Sequence, residues 1–547
     1  MKSRVINYSG RTFFVQFIFL LFFLLLIGRL LYIQVFEDEF IKKQIDSRTA
    51  LESHILAKRG KIIDRNNRLL AVDITGYTVI ADLSSFAPTK AQISILNSLL
   101  GLSPDKTDKI LKKRGHVELI RHIGEQKKDK IEDLKIEGLF FRQNLKRSYP
   151  QREVSSHVVG LTDIDRNGIQ GVELVFEKLL KGVDGKFTGL KSPIGVIGGE
   201  RKSPSEGSSL KLTIDIRLQS ISHHELKEAV LKYGAESGSI VIINPNTAEI
   251  LSLTNYPTFN PTNRKNIKDP SIFRNRATVD LFEPGSVMKP IAMAAIMNSD
   301  KVDHTAKINT SPGWINFEGY KTSDFRDYGI LSLSEIISKS SNVGMVNLCK
   351  DQDPYDLINM YSSFGIGSQP VNILIPARAG FLPQASLLSR RDKVSSCYGY
   401  GLTMSALQLA QAYQVFANGG VFKELNLLAD TSLTSPKPEV RVLSKDTSSI
   451  ITSMLIDAVT SKNGTAKKAR IEGKLVAGKT GTSEKKRNGI TTYSASFAGF
   501  LPEENNTLLT VVVLHGLTGE EHSGGLVAAP TFSKVARQSL HTLESGS

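Results

Sequence analysis

An α+β fold built on an antiparallel sheet is predicted for the C-terminal part of the chain, behind one membrane-spanning helix and an intervening module. Three observations predict it. Beyond about residue 206, strand-like and helix-like segments mix without the strand–helix–strand regularity of a parallel sheet. Residues 13–35 are almost wholly apolar. Between these two regions, short apolar runs alternate with charged and turn-rich stretches. The chain therefore divides into a cytoplasmic tail (1–12), a transmembrane helix (13–35), a module with no nucleophile pattern (36–205) and the α+β domain (206–547). Its 547 residues, 40% apolar and 22% charged, suffice for roughly two or three domains with a large core.

As a helix of about 23 residues, 13–35 spans ~34 Å, enough to cross a bilayer. Arg29 lies near one end, where its long side chain reaches the headgroups. A cleaved signal would show a shorter apolar core followed by small residues; here Arg29-Leu30-Leu31-Tyr32-Ile33 runs on, which predicts an uncleaved anchor. Lys2, Arg4 and Arg11 precede the span and Glu37, Asp38 and Glu39 follow it, so the N-terminus is placed in the cytoplasm and the bulk outside it. The formal charge of +15 is interleaved with acidic residues, as in Lys127-Lys128-Asp129-Lys130. With no zinc-finger spacing, RNA-recognition signature or long basic helix, it reads as solvated faces or attraction to an anionic envelope, and no nucleic-acid partner is expected. Cys349 and Cys397 lie in apolar or mixed stretches and read as buried free thiols, with a single disulfide as the alternative.

Within the module, Arg59-Gly60-Lys61-Ile62-Ile63-Asp64-Arg65-Asn66 before Leu69-Leu70-Ala71 predicts a turn between two strands. Gly168-Ile169-Gln170-Gly171-Val172-Glu173 predicts a loop entering a helix. The charges here are read as ties between pieces of the module. A boundary is expected over 193–209, where Gly, Ser, Pro and Lys cluster before strand-like Leu210-Lys211-Leu212-Thr213-Ile214. A helix over about 216–233 follows, then a hairpin turning through Asn244-Pro245-Asn246-Thr247.

The stretch Phe282-Glu283-Pro284-Gly285-Ser286-Val287-Met288-Lys289-Pro290 supplies the candidate nucleophile, Ser286. A Pro-Gly pair, a Ser and an apolar run read as a tight turn that opens a helix. Residues three apart share a helix face, so Lys289 is expected one turn on, with its amine close to the hydroxyl. An alcohol attacks only once a neighbour takes its proton, and a desolvated lysine is neutral enough to do so. Free backbone N–H groups at the helix start suit the oxyanion of acyl transfer. Alone, Ser-x-x-Lys is weak: about two or three chance matches are expected, Ser483-Glu484-Lys485-Lys486 is one, and such a Ser is more often a cap.

Two further pieces accompany it. Ser332 and Glu335 form a capping box that starts a helix, and it leads to Ser340 and Asn342. In a loop at the helix end both face a cleft, one a hydroxyl to pass a proton and the other an amide to hold a peptide bond. In Leu475-Val476-Ala477-Gly478-Lys479-Thr480-Gly481-Thr482-Ser483, glycines flank Lys479-Thr480 and allow a peptide to approach a sheet edge. Lys479 brings positive charge, and Thr480 and Thr482 bring donors for a carboxylate. A polar loop is expected over 481–489, then two apolar strands near 494–500 and 508–514. Residues 473–480 also match the phosphate-loop pattern, but they are strand-like inside and open no helix. No strand ending in Asp follows to hold magnesium, so the nucleotide reading is rejected.

In order, Ser286-x-x-Lys289, Ser340-x-Asn342 and Lys479-Thr480-Gly481 form the motif set of penicillin-binding proteins and serine β-lactamases. The anchor, the 59–66 stretch, Arg147-Ser148-Tyr149-Pro150, His157-Val158-Val159-Gly160, the 168–173 stretch, Gly399-Tyr400-Gly401-Leu402 and Gly524-Gly525-Leu526-Val527-Ala528-Ala529-Pro530 resemble class B penicillin-binding proteins, nearest the septal FtsI type. The resemblance covers most of the chain. It departs at Gln151-Arg152-Glu153, where the family often has a glycine.

The resemblance implies a penicillin-binding/β-lactamase-like transpeptidase domain, an antiparallel sheet flanked by helices, on an elongated pedestal or dimerisation-type module. It implies a D,D-transpeptidase that cross-links peptidoglycan at the division septum. Ser286 attacks between the two D-alanines of a stem pentapeptide, one D-alanine leaves, and an amine of a neighbouring stem resolves the acyl-enzyme. Lys289 is the general base, Ser340 and Lys479 relay a proton, and Asn342 orients the acyl chain. Thr480 and Thr482 on either side of Gly481 hold the carboxylate, and the N–H groups of Ser286 and Thr482 form the oxyanion hole. β-Lactams acylate the same serine. Neither metal nor cofactor is called for, and the ten histidines form no zinc-ligand spacing. The implied partners are a polytopic glycan polymerase and other divisome membrane proteins, with the catalytic domain on the periplasmic side of the inner membrane. A side-wall transpeptidase is the alternative of the same class. A β-lactamase-like hydrolase fits the anchor and module poorly, and a silent penicillin-binding scaffold fits the intact motifs poorly.

Overall fold

The computed structural model describes residues 9–36, 50–192, 195–264, 269–299, 302–369, 377–430, 439–487, 489–502 and 508–545. Lys2, Arg4, Glu37, Asp38 and Glu39, which set the predicted orientation, lie outside them, as does Pro193 of the expected boundary. Helix α1, Ser9–Phe36, contains the apolar window Gly10–Ile33, mean hydropathy 2.5, long and apolar enough to cross a membrane.

The chain forms two units. The first, Met1–Lys58 with Gly182–Glu206, carries a sheet in which strand Gly185–Ser192 lies between Ala50–Ile55 and Gly195–Lys202, all antiparallel. The last strand lies within 193–209, the stretch expected to hold the boundary, and the first unit ends at Glu206. Glycine weakens a strand, yet an antiparallel ladder is held by backbone groups that every residue here carries.

The second unit is Arg59–Lys181 with Gly207–Ser547. Its first part holds strands Ile62–Ile63 and Leu69–Asp82 about a turn in which Asp64 Oδ1 accepts from the backbone of Asn66 and Arg68, each at 2.8 Å. The short strand Gly168–Gln170 enters helix Gly171–Val175, which presents Glu173. Glu173 is fully buried between Arg59 at 2.6 Å and Arg147 at 2.7 Å, while Asp73 takes Arg147 at 3.2 Å and Arg166 at 3.1 Å. The charges of these stretches do tie the pieces together. Arg152, in the Gln151-Arg152-Glu153 departure, sits at φ 47°, in the left-handed region that glycine favours.

The central sheet positions the site. Helix α2 (Ile216–Tyr233) precedes the hairpin of β1 (Ser237–Asn244) and β2 (Glu249–Tyr256), whose turn is held by Asn246 N donating to Asn244 Oδ1 at 2.9 Å. Helices α3 (Lys289–Asn298), α4 (Leu333–Lys339) and α5 (Asn342–Cys349) follow. Strands β3 (Ala477–Arg487), β4 (Ile490–Phe500) and β5 (Leu509–Leu517) lead to helix α6 (Ala528–Glu544). The antiparallel order is β2-β1-β5-β4-β3, which leaves β3 at an edge. Both faces are covered. Ile240, Ile242, Val512 and Leu514 pack with Leu226 of α2 and Phe532 of α6, whereas Val241, Ile243, Val511 and Val513 pack in the core that includes α3 and α4. The two-residue period of a strand sends neighbouring side chains to opposite faces, so a continuous apolar run is what a doubly covered strand requires.

Two expectations are corrected here. Strand β3 continues to Arg487, so 481–487 is not a polar loop: its backbone pairs with β4 while Glu484, Lys485 and Lys486 stay exposed. Cys349 and Cys397 are buried as expected but joined in a disulfide, their Cα atoms 6.7 Å apart. Packing of α5 against the helix Arg390–Ser396 brings them together, a proximity that a separation of 48 residues does not reveal.

Candidate active site

Ser286 lies on a 3-10 turn, Gly285–Met288, that runs directly into α3. Gly285 has φ 60°, and a Cβ there would stand 2.7 Å from the Thr482 carbonyl oxygen. A Cβ at Gly481 would stand 2.6 Å from the Pro284 carbonyl oxygen, and one at Gly399 would stand 2.1 Å from that of Gly285. Only residues without a Cβ let the nucleophile turn, the edge strand and the 399 loop meet backbone to backbone. Tyr413 fastens the turn from below, its hydroxyl donating to Val287 O at 2.7 Å.

Ser286, Ser340, Asn342, Thr480 and Thr482 line one cleft of about 920 Å³. Lys289 and Lys479 lie beneath it, both fully buried, and Gly481 brings the strand against the turn. All eight predicted residues are thus gathered in one place. The Ser340–Asn342 segment differs from the expected loop: Ser340 caps the end of α4 and Asn342 begins α5. Ser340 holds φ 59°, left-handed for a residue with a side chain, at a cost of about 1–3 kcal/mol. That conformation turns both its carbonyl and its hydroxyl toward Lys289.

Lys289 Nζ donates to Ser340 O at 2.6 Å, Asn342 Oδ1 at 2.7 Å and Ser340 Oγ at 3.2 Å. It was expected beside the Ser286 hydroxyl; among the described residues Ser286 Oγ has no hydrogen-bond partner. Such bonds commonly tighten only with substrate in place. Burial lowers the Lys289 ammonium to about 7, against the opposing pull of Asp324. Lys479 Nζ donates to Ser340 Oγ at 2.9 Å and Thr480 O at 3.3 Å. Burial, reinforced by the neighbouring Lys289, holds it well below the ordinary lysine range.

A neutral amine has two N–H bonds and one lone pair. Ser340 O and Asn342 Oδ1 cannot donate, and they absorb both N–H bonds of a neutral Lys289, leaving its lone pair for a hydroxyl proton. The Asn342 amide is fixed in that sense because its Nδ2 donates to Ser323 O at 3.1 Å.

Sequence reasoning missed Asp324. Its carboxylate accepts from the backbone N–H groups of Asn342 and Val343, the latter at 3.1 Å, and from the Ser341 hydroxyl at 2.5 Å. It caps α5 and thereby positions Asn342. Thr465 was missed too: its N–H and hydroxyl donate to Ser338 O, and Thr480 Oγ1 donates to its hydroxyl oxygen at 3.3 Å. Neither carries a local signal, since each serves a helix end or strand distant in sequence.

The family model of the penicillin binding protein transpeptidase domain matches residues 238–537, and that of the penicillin-binding protein dimerisation domain matches 54–212. The chain is 33% identical to "Probable peptidoglycan D,D-transpeptidase PbpC" of Pseudomonas aeruginosa, over 99% of this chain and 96% of that protein. It is 32% identical to peptidoglycan D,D-transpeptidase FtsI of Escherichia coli, over 95% and 89%. Among solved structures, a peptidoglycan synthetase from Bifidobacterium adolescentis matches with TM-score 0.70 and 25% identity, over 90% of this chain and 97% of that one.

Proposed function

Since the chain belongs to the class B penicillin-binding proteins, which include peptidoglycan D,D-transpeptidases, we propose that it cross-links peptidoglycan stem peptides at the division septum through an ester on Ser286. The observation that carries the reading is the pair of buried lysines bonded to one hydroxyl, Ser340 Oγ, at the foot of a cleft that exposes both Ser286 and a free sheet edge.

The donor stem lies along β3 with its terminal carboxylate on the hydroxyls of Thr480 and Thr482, in the positive field of Lys479. Lys289, as free amine, takes the Ser286 proton while Oγ attacks the carbonyl carbon of the penultimate D-alanine. The N–H groups of Ser286 and Thr482 receive the oxyanion. As the peptide C–N bond breaks, the leaving amine gains a proton through Ser340 and Lys479, and D-alanine departs. Asn342 holds the acyl chain. An acceptor amine then attacks the ester, gives up its proton, and returns Ser286 to its hydroxyl form. β-Lactams, which mimic the D-alanyl end, acylate the same oxygen.

Residues 36–205 serve as the non-catalytic pedestal and 206–547 as the transpeptidase domain. Helix α1 anchors the chain once in the inner membrane, with its basic N-terminus in the cytoplasm and the catalytic domain in the periplasm. A polytopic glycan polymerase and other divisome membrane proteins are its partners. Septal duty is supported by the FtsI relative.

The test is turnover of a stem pentapeptide by the purified chain. D-Alanine release with an amine-dependent cross-linked product supports the reading. Rapid hydrolysis of penicillin without transfer, or no turnover of either substrate, contradicts it. Depletion that yields filaments supports septal duty, and rounded cells contradict it.

A further inference from the structure

Past Gly481, strand β3 keeps presenting every second residue to the cleft. Thr480, Thr482, Glu484 and Lys486 all line it, as the period of a strand requires. On the paired side Glu484 stands opposite Tyr493 of β4, and the other side of β3 is the free edge of the sheet. A peptide that adds to such an edge sets its own residues against alternate strand side chains.

With the donor carboxylate at Thr480 and Thr482, the rest of the stem runs along the only part of β3 still facing the cleft, toward Glu484. The residue just before the D-alanyl pair then lies between Thr482 and Glu484. Glu484 is exposed and has neither hydrogen bond nor ion pair among the described residues. It faces Tyr400 across the cleft, whose phenol is raised by burial first and then by Glu283 and Glu484. Lys486, Lys467 and Lys468 line the same cleft, but none pairs with the Glu484 carboxylate, which leaves it open to a cation from the substrate.

Resting on the transpeptidase reading, we propose that Glu484 is a specificity-determining residue that receives the side-chain ammonium of a diamino acid in the donor stem, at the position before the D-alanyl pair. The selection acts in acylation. It favours donors whose amine is free over donors whose amine is acylated, because capping removes the charge and leaves the carboxylate facing an amide.

The test uses the full chain in detergent and two soluble pentapeptides, identical except that the side-chain amine of the third residue is free or acetylated. Single-turnover acylation is read as D-alanine released per enzyme. Wild type is expected to prefer the free amine in kcat/KM by about three- to fivefold, the range of a partly exposed ion pair. Glu484→Gln is expected to equalise the two peptides, Glu484→Lys to invert the preference, and Glu484→Asp to retain part of it. Equal rates in wild type overturn the proposal, as does a preference unchanged in Glu484→Gln. A loss shared equally by both peptides in the variant overturns it too, since that marks a merely structural residue. A dependence found only on the acceptor amine, in the step that resolves the ester, also overturns it. Failure of the transpeptidase reading looks different: no D-alanine is released from either peptide.

Discussion

Lys289 and Lys479 donate to the same oxygen, Ser340 Oγ, at 3.2 and 2.9 Å, and neither has any exposed surface. Two ammonium groups in so dry a place repel each other, and both are desolvated, so at neutral pH the pair sheds a proton readily. The site thereby obtains a base and an acid from two residues of one type.

Acylation therefore depends on free Lys289. Penicillin acylation is expected to rise with pH to a plateau, half-maximal near 7, and to be abolished in Lys289→Arg, whose side chain does not deprotonate. The same proton bears on stability. The folded value near 7 lies below the ordinary 10.5, so between these pH values the unfolded chain binds a proton that the folded one lacks, and stability rises with pH. Thermal melts at pH 7, 8.5 and 10 are expected to show a steeper rise in wild type than in Lys289→Met.

Asp324 acts through α5. Asp324→Ala removes the acceptor for two helix N–H groups and is expected to cost about 1–2 kcal/mol in thermal stability. Because Asn342 and the Lys289 hydrogen bond shift with it, acylation is expected to slow by about tenfold or more, mainly in kcat. Unchanged kcat in a folded variant would show that the cap does not position the site.

Gly399 tests the backbone contact. In Gly399→Ala the new Cβ meets Gly285 O at 2.1 Å, so about 1–3 kcal/mol of stability and most acylation are expected to be lost. Gly401, at φ 74° with nothing within 4 Å of a Cβ, is the control, and Gly401→Ala is expected to cost only about 1 kcal/mol.

How much of this was legible depended on distance along the chain. The Ser332–Glu335 capping box, the 216–233 helix and the Asn244–Thr247 hairpin are local and could be read directly. The three motifs could be read because the residues of each lie within four positions of one another along the chain, and their order marks the family. The Cys349–Cys397 bond, the Asp324 cap and the Thr465–Thr480 contact join residues far apart in sequence, with no periodicity to announce them. The polar end of β3 reads as a loop because side-chain pattern is silent where the backbone ladder alone holds a strand.

Glu173 is the hinge of the ion network, buried between Arg59 and Arg147. Glu173→Gln removes the shared carboxylate but leaves Arg59 with Glu177 at 2.7 Å and Arg147 with Asp73 at 3.2 Å, so a loss of about 1–3 kcal/mol is expected, measured as a lower thermal midpoint of the full chain. A midpoint within a degree of wild type would show that the network contributes nothing net.

The account stands on the identity of the nucleophile, and the most direct measurement is intact mass spectrometry of the full chain after exposure to labelled penicillin, followed by peptide mapping. One adduct per chain is predicted on the peptide that contains Ser286, with none in Ser286→Ala. An adduct on any other side chain, or labelling undiminished in Ser286→Ala, would contradict it.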